Sequence, residues 1–187
     1  MRIIAGKYRS RPLASLPRLD IRPTSDKLRE TLFNILCGGN PGALEGTTWF
    51  DLYAGTGAVG IEALSRGAAQ VNFVESAPKA TALIQKNLQT LGVEGGFRIL
   101  RSDAVSALRK CERMGIPANY VFLDPPYRLE TEYARALASL SQSRLVTRET
   151  VVIAEHLKKF DPGADFGDLL RYRKLEQGDA ALSFYRR

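Results

Sequence analysis

Histidine and cysteine are nearly missing from this chain: 187 residues include one His and two Cys. Cys37 and Cys111 lie far apart and neither belongs to a C-x-x-C pair, which argues against a disulfide framework and against a zinc site. No metal is expected. The lone His156 has no Ser or Cys nucleophile pattern beside it, and reads as a surface residue or a support to a site rather than a catalytic group. Long apolar runs are missing as well, since nothing approaches the run of about 20 residues that crosses a bilayer. The start, Met1 to Lys7, lacks the apolar segment of a signal peptide. These absences point to a cytoplasmic protein with no membrane partner. No internal repeat or low-complexity run occurs.

What is present is enough apolar sequence for one sizeable core, at 44% hydrophobic and 25% charged residues. The net charge of +7 is unevenly placed. Residues 1 to 30 hold eight Lys/Arg against three Asp/Glu, and residues 171 to 187 hold five against two. The middle is therefore close to neutral, and positive potential collects at the two ends, as a surface for a polyanion would require. RNA or DNA is the favoured partner.

The first 40 residues read as a basic extension and residues 41 to 187 as the main domain. Arg2 to Leu13 suggests a small hairpin in which Lys7, Arg9 and Arg11 alternate around Tyr8, suited to phosphate contact and base stacking. Thr24, Ser25 and Asp26 precede apolar residues at 28, 32, 35 and 36, the pattern of an N-capped amphipathic helix closed by Gly38 and Gly39. Then Trp49 to Leu52 forms an apolar strand that runs into Gly55, Gly57 and Gly60. This G-x-G-x-x-G spacing lets backbone turn tightly, approach a nucleoside and pack a helix on its strand. A second strand, 70 to 75, ends at Glu75, where a carboxylate can accept both ribose hydroxyl protons of an adenosine. Asp103 after a third strand can accept from an adenine amino group or cap the helix that follows. Four strands alternating with helices predict a parallel, doubly wound sheet. Strands near 151–155, 169–175 and 180–185 complete seven, the last two as an antiparallel hairpin.

The fourth strand ends in Asp124-Pro125-Pro126-Tyr127. Consecutive prolines fix φ and remove two amide donors, leaving rigid carbonyl acceptors beside the Asp124 carboxylate. Such a cluster suits an exocyclic amino group, which donates both protons while its lone pair is drawn out of ring conjugation. Tyr127 can stack on the base.

The glycine turn, Glu75, Asp103 and Asp124 to Tyr127 together resemble the class I S-adenosylmethionine-dependent amino-methyltransferases. More narrowly, Arg2–Arg11, Arg22–Asn34, Glu62–Ala68 and Gly178–Tyr185 are similar to the bacterial RsmD family. The resemblance implies an α/β Rossmann-like fold with helices on both faces of a mostly parallel seven-stranded sheet. It also implies methylation of a guanine N2 amino group of 16S ribosomal RNA, in the small subunit or its assembly intermediate, by a monomer. S-adenosylmethionine would be the donor and S-adenosylhomocysteine the product. Asp51, Ala54, Gly55, Thr56 and Gly57 would hold the methionine part. Glu75 with neighbouring Ser76 would hold the ribose, and Asp103 and Ala104 the adenine. Asp124, Pro125 and Tyr127 would form the catalytic cluster. Lys7, Arg9, Arg11, Arg22 and Arg29 would meet RNA, with residues 22 to 29 as a lid. Lys27, Leu28 and Thr56 stand where Arg, Val and Ser are common; a Lys in place of Arg loses the bidentate fork on phosphate.

From the residues alone, other readings stay open: an adenine-N6 or glutamine-amide methyltransferase, a nicotinamide-dependent oxidoreductase using the same glycine spacing, or a non-catalytic RNA-binding protein. The last two leave Asp124 to Tyr127 without a task.

Overall fold

A computed structural model describes residues 1–15, 24–126 and 128–187. Among these, one sheet of eight strands has the order β3-β2-β1-β4-β5-β8-β7-β6. The strands are β1 (Thr48–Leu52), β2 (Gln70–Val74), β3 (Phe97–Leu100), β4 (Ala118–Leu123), β5 (Val146–Leu157), β6 (Asp165–Phe166), β7 (Leu169–Gln177) and β8 (Ala180–Arg186). The first five pair in parallel and the last three in antiparallel fashion. The seven-strand expectation is corrected by β6, which is two residues long and lies in a Gly- and Asp-rich stretch with no alternation to reveal it.

Helices cover both faces. α1 (Asp26–Cys37), α2 (Ala58–Ser65) and α3 (Pro78–Leu91) pack on one side, and α4 (Ala104–Arg113) and α5 (Glu130–Gln142) on the other. α1 starts where the Ser25 side chain accepts from the Leu28 amide at 3.1 Å, and ends at left-handed Gly38. The chain ends are part of the same core. Ile3, Leu13, Leu28, Leu32 and Phe33 are buried with Trp49 and Phe73. The expected hairpin forms in minimal fashion, one bridge between Arg2 and Pro12 flanked by Ile3 N–H to Arg11 O at 3.0 Å and Ser10 N–H to Ile3 O at 2.9 Å.

A buried carboxylate fastens that hairpin to α2. Glu62 accepts the Ile4 and Ala5 amides at 2.8 and 3.0 Å and the Arg66 Nε at 2.8 Å, with the Arg29 Nε 3.7 Å away. Arg29 is fully buried and also donates to the Arg2 carbonyl and, at 3.0 Å, to Asp26. This corrects the expectation that Arg29 meets RNA, because a guanidinium enclosed beside Glu62 serves the core.

Candidate active site

β1 lies between β2 and β4; the connection that leaves β1 runs through α2 toward β2 and the one that leaves β4 runs through α5 toward β5 on the other face, which opens a crevice at their carboxyl ends. The glycine turn lines one side of it. Tyr53 adopts φ 63°, an unusual value for a residue with a side chain, and is followed by Gly55 at 56° and Gly57 at 78°. Gly60 donates its amide to Asp51 at 2.8 Å, and a Cβ there would collide with Phe73 of β2. The third glycine therefore sets the close approach of α2 to the sheet.

The carboxylates of the crevice are mostly held by backbone amides. Glu75 accepts from Gly55 at 2.9 Å through one oxygen and from Ala77 at 2.8 Å through the other, so it bridges the tips of β1 and β2 and keeps acceptor lone pairs on each oxygen. Asp51 is 2% exposed; burial pushes its carboxyl up to about 8, against the Gly60 amide and with the help of the Glu75 charge. Asp103 caps α4 by accepting from Ser106 N–H at 3.0 Å; the Ser106 hydroxyl, and then this amide, hold its carboxyl below the ordinary range. Of its two predicted roles, the cap is the one formed within the chain.

On the opposite wall stand Asp124, Pro125 and Pro126 at the tip of β4. Burial, then the charges of Glu155 and Asp51, push the Asp124 carboxyl well above the usual range. Glu155 follows Ala154, the register partner of Leu123, so the two carboxylates occupy neighbouring strand tips. Glu155 accepts the Thr24 hydroxyl at 2.6 Å, which brings the segment ahead of α1 to the edge of the crevice. Tyr133 donates to the Glu155 carbonyl at 2.8 Å and lies 3.4 Å from the Pro125 carbonyl, tying α5 to both strand tips.

The resulting cavity has a volume of about 330 Å³. It brings together Asp51, Ala54, Gly55, Thr56, Glu75, Ser76, Asp103, Ala104, Asp124 and Pro125, all predicted from sequence. Gly57 does not line it and acts by shaping the turn. Tyr127 and Arg22 lie outside the described residues. Lys7 and Arg9 are exposed, whereas Arg11 donates to the Leu91 and Thr90 carbonyls at 3.0 and 2.7 Å, so its guanidinium caps the end of α3 rather than standing free for phosphate. His156 is fully buried, not a surface residue. Its Nδ1 lies 2.9 Å from the Leu157 carbonyl, which can only accept, so Nε2 accepts from the Ser183 hydroxyl at 2.9 Å. Burial pushes the imidazole down, keeping it neutral near pH 7.

Sequence reasoning missed four contributors. Tyr53 reaches across the cavity to donate to Glu132 at 2.9 Å, and its phenol is pushed up by burial and that bond. Glu132 in turn pairs with Arg135 at 3.2 Å. Glu155 was hidden at the end of an apolar strand. Asn87 is 2% exposed in the apolar stripe of α3, where a polar residue was the available signal. It donates to Thr56 O at 3.0 Å and exchanges bonds with Ala14, stitching the amino-terminal segment to the glycine turn.

The lining tests whether a methyl donor fits. Asp51, Glu75, Asp103, Asp124 and Glu132 supply five carboxyl groups and, among the described residues, no Lys or Arg lines the cavity. A nucleoside with a positive sulfonium suits that field, whereas a dinucleotide pyrophosphate would meet repulsion.

A family model described as conserved hypothetical protein 95 matches residues 1–186. The chain belongs to that family. YlbH of Bacillus subtilis, provisionally named as an rRNA methyltransferase, is 32% identical over 187 residues, covering all of this chain and 99% of that protein. The ribosomal RNA small subunit methyltransferase D of Escherichia coli K12 is 41% identical over 128 residues, 68% of this chain and 61% of that protein. Among solved structures, the provisionally named E. coli methyltransferase YhhF superposes with a TM-score of 0.77 at 34% identity, covering 100% of this chain and 97% of that one.

Proposed function

We propose that this protein transfers a methyl group from S-adenosylmethionine to the N2 amino group of a guanine in 16S ribosomal RNA. It would work in the cytoplasm as a monomer, on the small subunit or its assembly intermediate, with residues 1 to 40 as the docking extension. The observation that carries the reading is the placement of Asp124-Pro125-Pro126 across one acidic cavity from the glycine turn and Glu75. The named small-subunit rRNA relative supports the substrate.

The donor would bring an electrophilic methyl on a sulfonium. Glu75 has lone pairs free for the ribose hydroxyls, and the exposed cap Asp103 and the Ala104 backbone are available to the adenine. Asp51, held by Gly60, would face the amino-acid part and the positive charge. Asp124 and the Pro125 carbonyl would accept from the incoming amino group and orient its lone pair, so positioning supplies much of the rate. Burial, and then two neighbouring carboxyls, make an ionised Asp124 more basic than an ordinary aspartate. It can therefore accept the proton that the amino group loses once the new bond makes it acidic.

The test is to incubate the protein with radiolabelled S-adenosylmethionine and small subunits from cells lacking the modification, and then map the label. Label on a guanine N2 is the expected result. No transfer, together with no donor binding by calorimetry, overturns the proposal.

A further inference from the structure

The carboxyl-terminal strands carry a surface that the cavity does not use. β7 and β8 present their two faces differently. On one face the cations are neutralised: Arg171 pairs with Asp161 at 2.7 Å, and Lys174 lies 3.8 Å from Asp161 and 3.4 Å from Glu176. On the other face, Arg186 sits 5.2 Å over the Tyr172 ring and Arg173 5.8 Å over Phe184, and neither has a carboxylate partner among the described residues. Both arginines are exposed. The register shifts between Arg171 and Arg173, so Tyr172 is the extra residue of a bulge, a device that re-aims a side chain. Tyr172 and its neighbour Leu170 are each 52% exposed. An exposed aromatic ring flanked by unpaired guanidiniums combines a stacking platform with phosphate forks.

We infer that this face, built from Tyr172, Arg173 and Arg186, is a second RNA-docking surface, separate from the cavity and from the amino-terminal hairpin. The inference rests on the reading of RNA as substrate. Charge complementarity selects the occupant, since the last 17 residues carry five Lys/Arg and two Asp/Glu. A second copy of the chain fits poorly, because a two-fold contact would set these arginines against their own equivalents. Strand spacing and rise put the Arg186 backbone about 16 Å from that of Asp124, two strands across and four residues back from the carboxyl edge. An RNA whose target base enters the cavity would span that distance with a short run of nucleotides. Contacts of this kind read the backbone and any base face, so they add affinity and orientation and leave base choice to the cavity.

The experiment compares wild type, Tyr172→Ala, and Arg173→Gln/Arg186→Gln in three measurements: binding to small-subunit RNA across a salt series, S-adenosylmethionine binding by calorimetry, and sedimentation. The expected result is RNA affinity lower by about tenfold in each variant, with the salt slope of the double variant smaller by about two. Donor affinity should match wild type, and that match also shows that the variants are folded. Variants that bind RNA as wild type does would overturn the docking surface and leave the proposed reaction standing. A wild type that binds donor but no RNA would overturn the substrate reading and this inference with it. A wild-type dimer that Tyr172→Ala dissociates would give the face to a second copy and overturn the inference.

Discussion

The cavity and the two chain ends are built from opposite charges, and the contrast separates two tasks. Five carboxyl groups face the cavity, four of them held by backbone amides or, for Glu132, by a Tyr hydroxyl and an Arg. Outside, Lys7, Arg9, Arg173 and Arg186 stand exposed with aromatic neighbours at most of these positions. An acidic interior suits a cation and an amino group, and would repel a phosphate that wandered into it. A basic exterior would hold the polyanion. Only the target base would need to cross from one field to the other, which suits a base splayed from its stack.

A buried guanidinium faces a buried carboxylate at Arg29 and Glu62, and breaking that pair should have the largest effect. Glu62→Ala leaves the Ile4 amide, the Ala5 amide and the Arg66 Nε without their acceptor, and the enclosed Arg29 guanidinium without its buried counter-charge. A loss of about 3–5 kcal/mol in urea unfolding is expected, of the size found when one partner of a buried pair is removed. A loss below 1 kcal/mol would mean that the hairpin is not anchored there. Next in size is Asp124→Ala. Transfer in the labelled assay should fall by about 10²–10³-fold, while donor affinity changes far less. Full activity in that variant would remove the acceptor cluster from the mechanism.

Much of this division could be read from the sequence, for reasons that differ by residue. Gly60 and Asp124-Pro125-Pro126 were legible because their chemistry is local: a missing Cβ and missing amide donors act wherever the chain places them. The parallel core was legible because buried strands show as short apolar runs between helical patterns. Arg29 was misread because charge counting cannot distinguish an enclosed guanidinium from a solvated one. Its partner Glu62 lies 33 positions away on a helix whose other residues are nearly all apolar. Glu155, Tyr53 and Glu132 escaped notice because their roles arise from strand order and from α5 lying against both strand tips, which only the folded register creates.

A smaller effect tests the outer half. Lys7→Glu with Arg9→Glu should weaken small-subunit RNA binding by about tenfold and lessen its salt dependence, with donor binding unchanged. Equal losses of RNA and donor affinity would mean that the hairpin supports the cavity rather than the RNA. Arg11→Ala should act differently, since its bonds to Thr90 and Leu91 predict lost stability more than lost RNA affinity.

The smallest effect concerns proton linkage inside. Burial pushes the Asp51 carboxyl up to about 8 in the folded protein, well above its ordinary 3.8. Its contribution to folding stability is thus fully present below 3.8 and is lost as pH rises through about 8. A cationic donor reverses the preference by favouring the ionised carboxylate, so binding should expel a proton. Donor affinity should then rise between pH 6 and 8, by no more than about tenfold per pH unit, and level off above that. Calorimetry in buffers of different ionisation enthalpy would detect the released proton directly. Asp51→Asn keeps an oxygen for the Gly60 amide and removes the titration, so it should flatten the profile; a profile as steep as wild type would assign the linkage to Asp124, whose carboxyl is raised by the same enclosure.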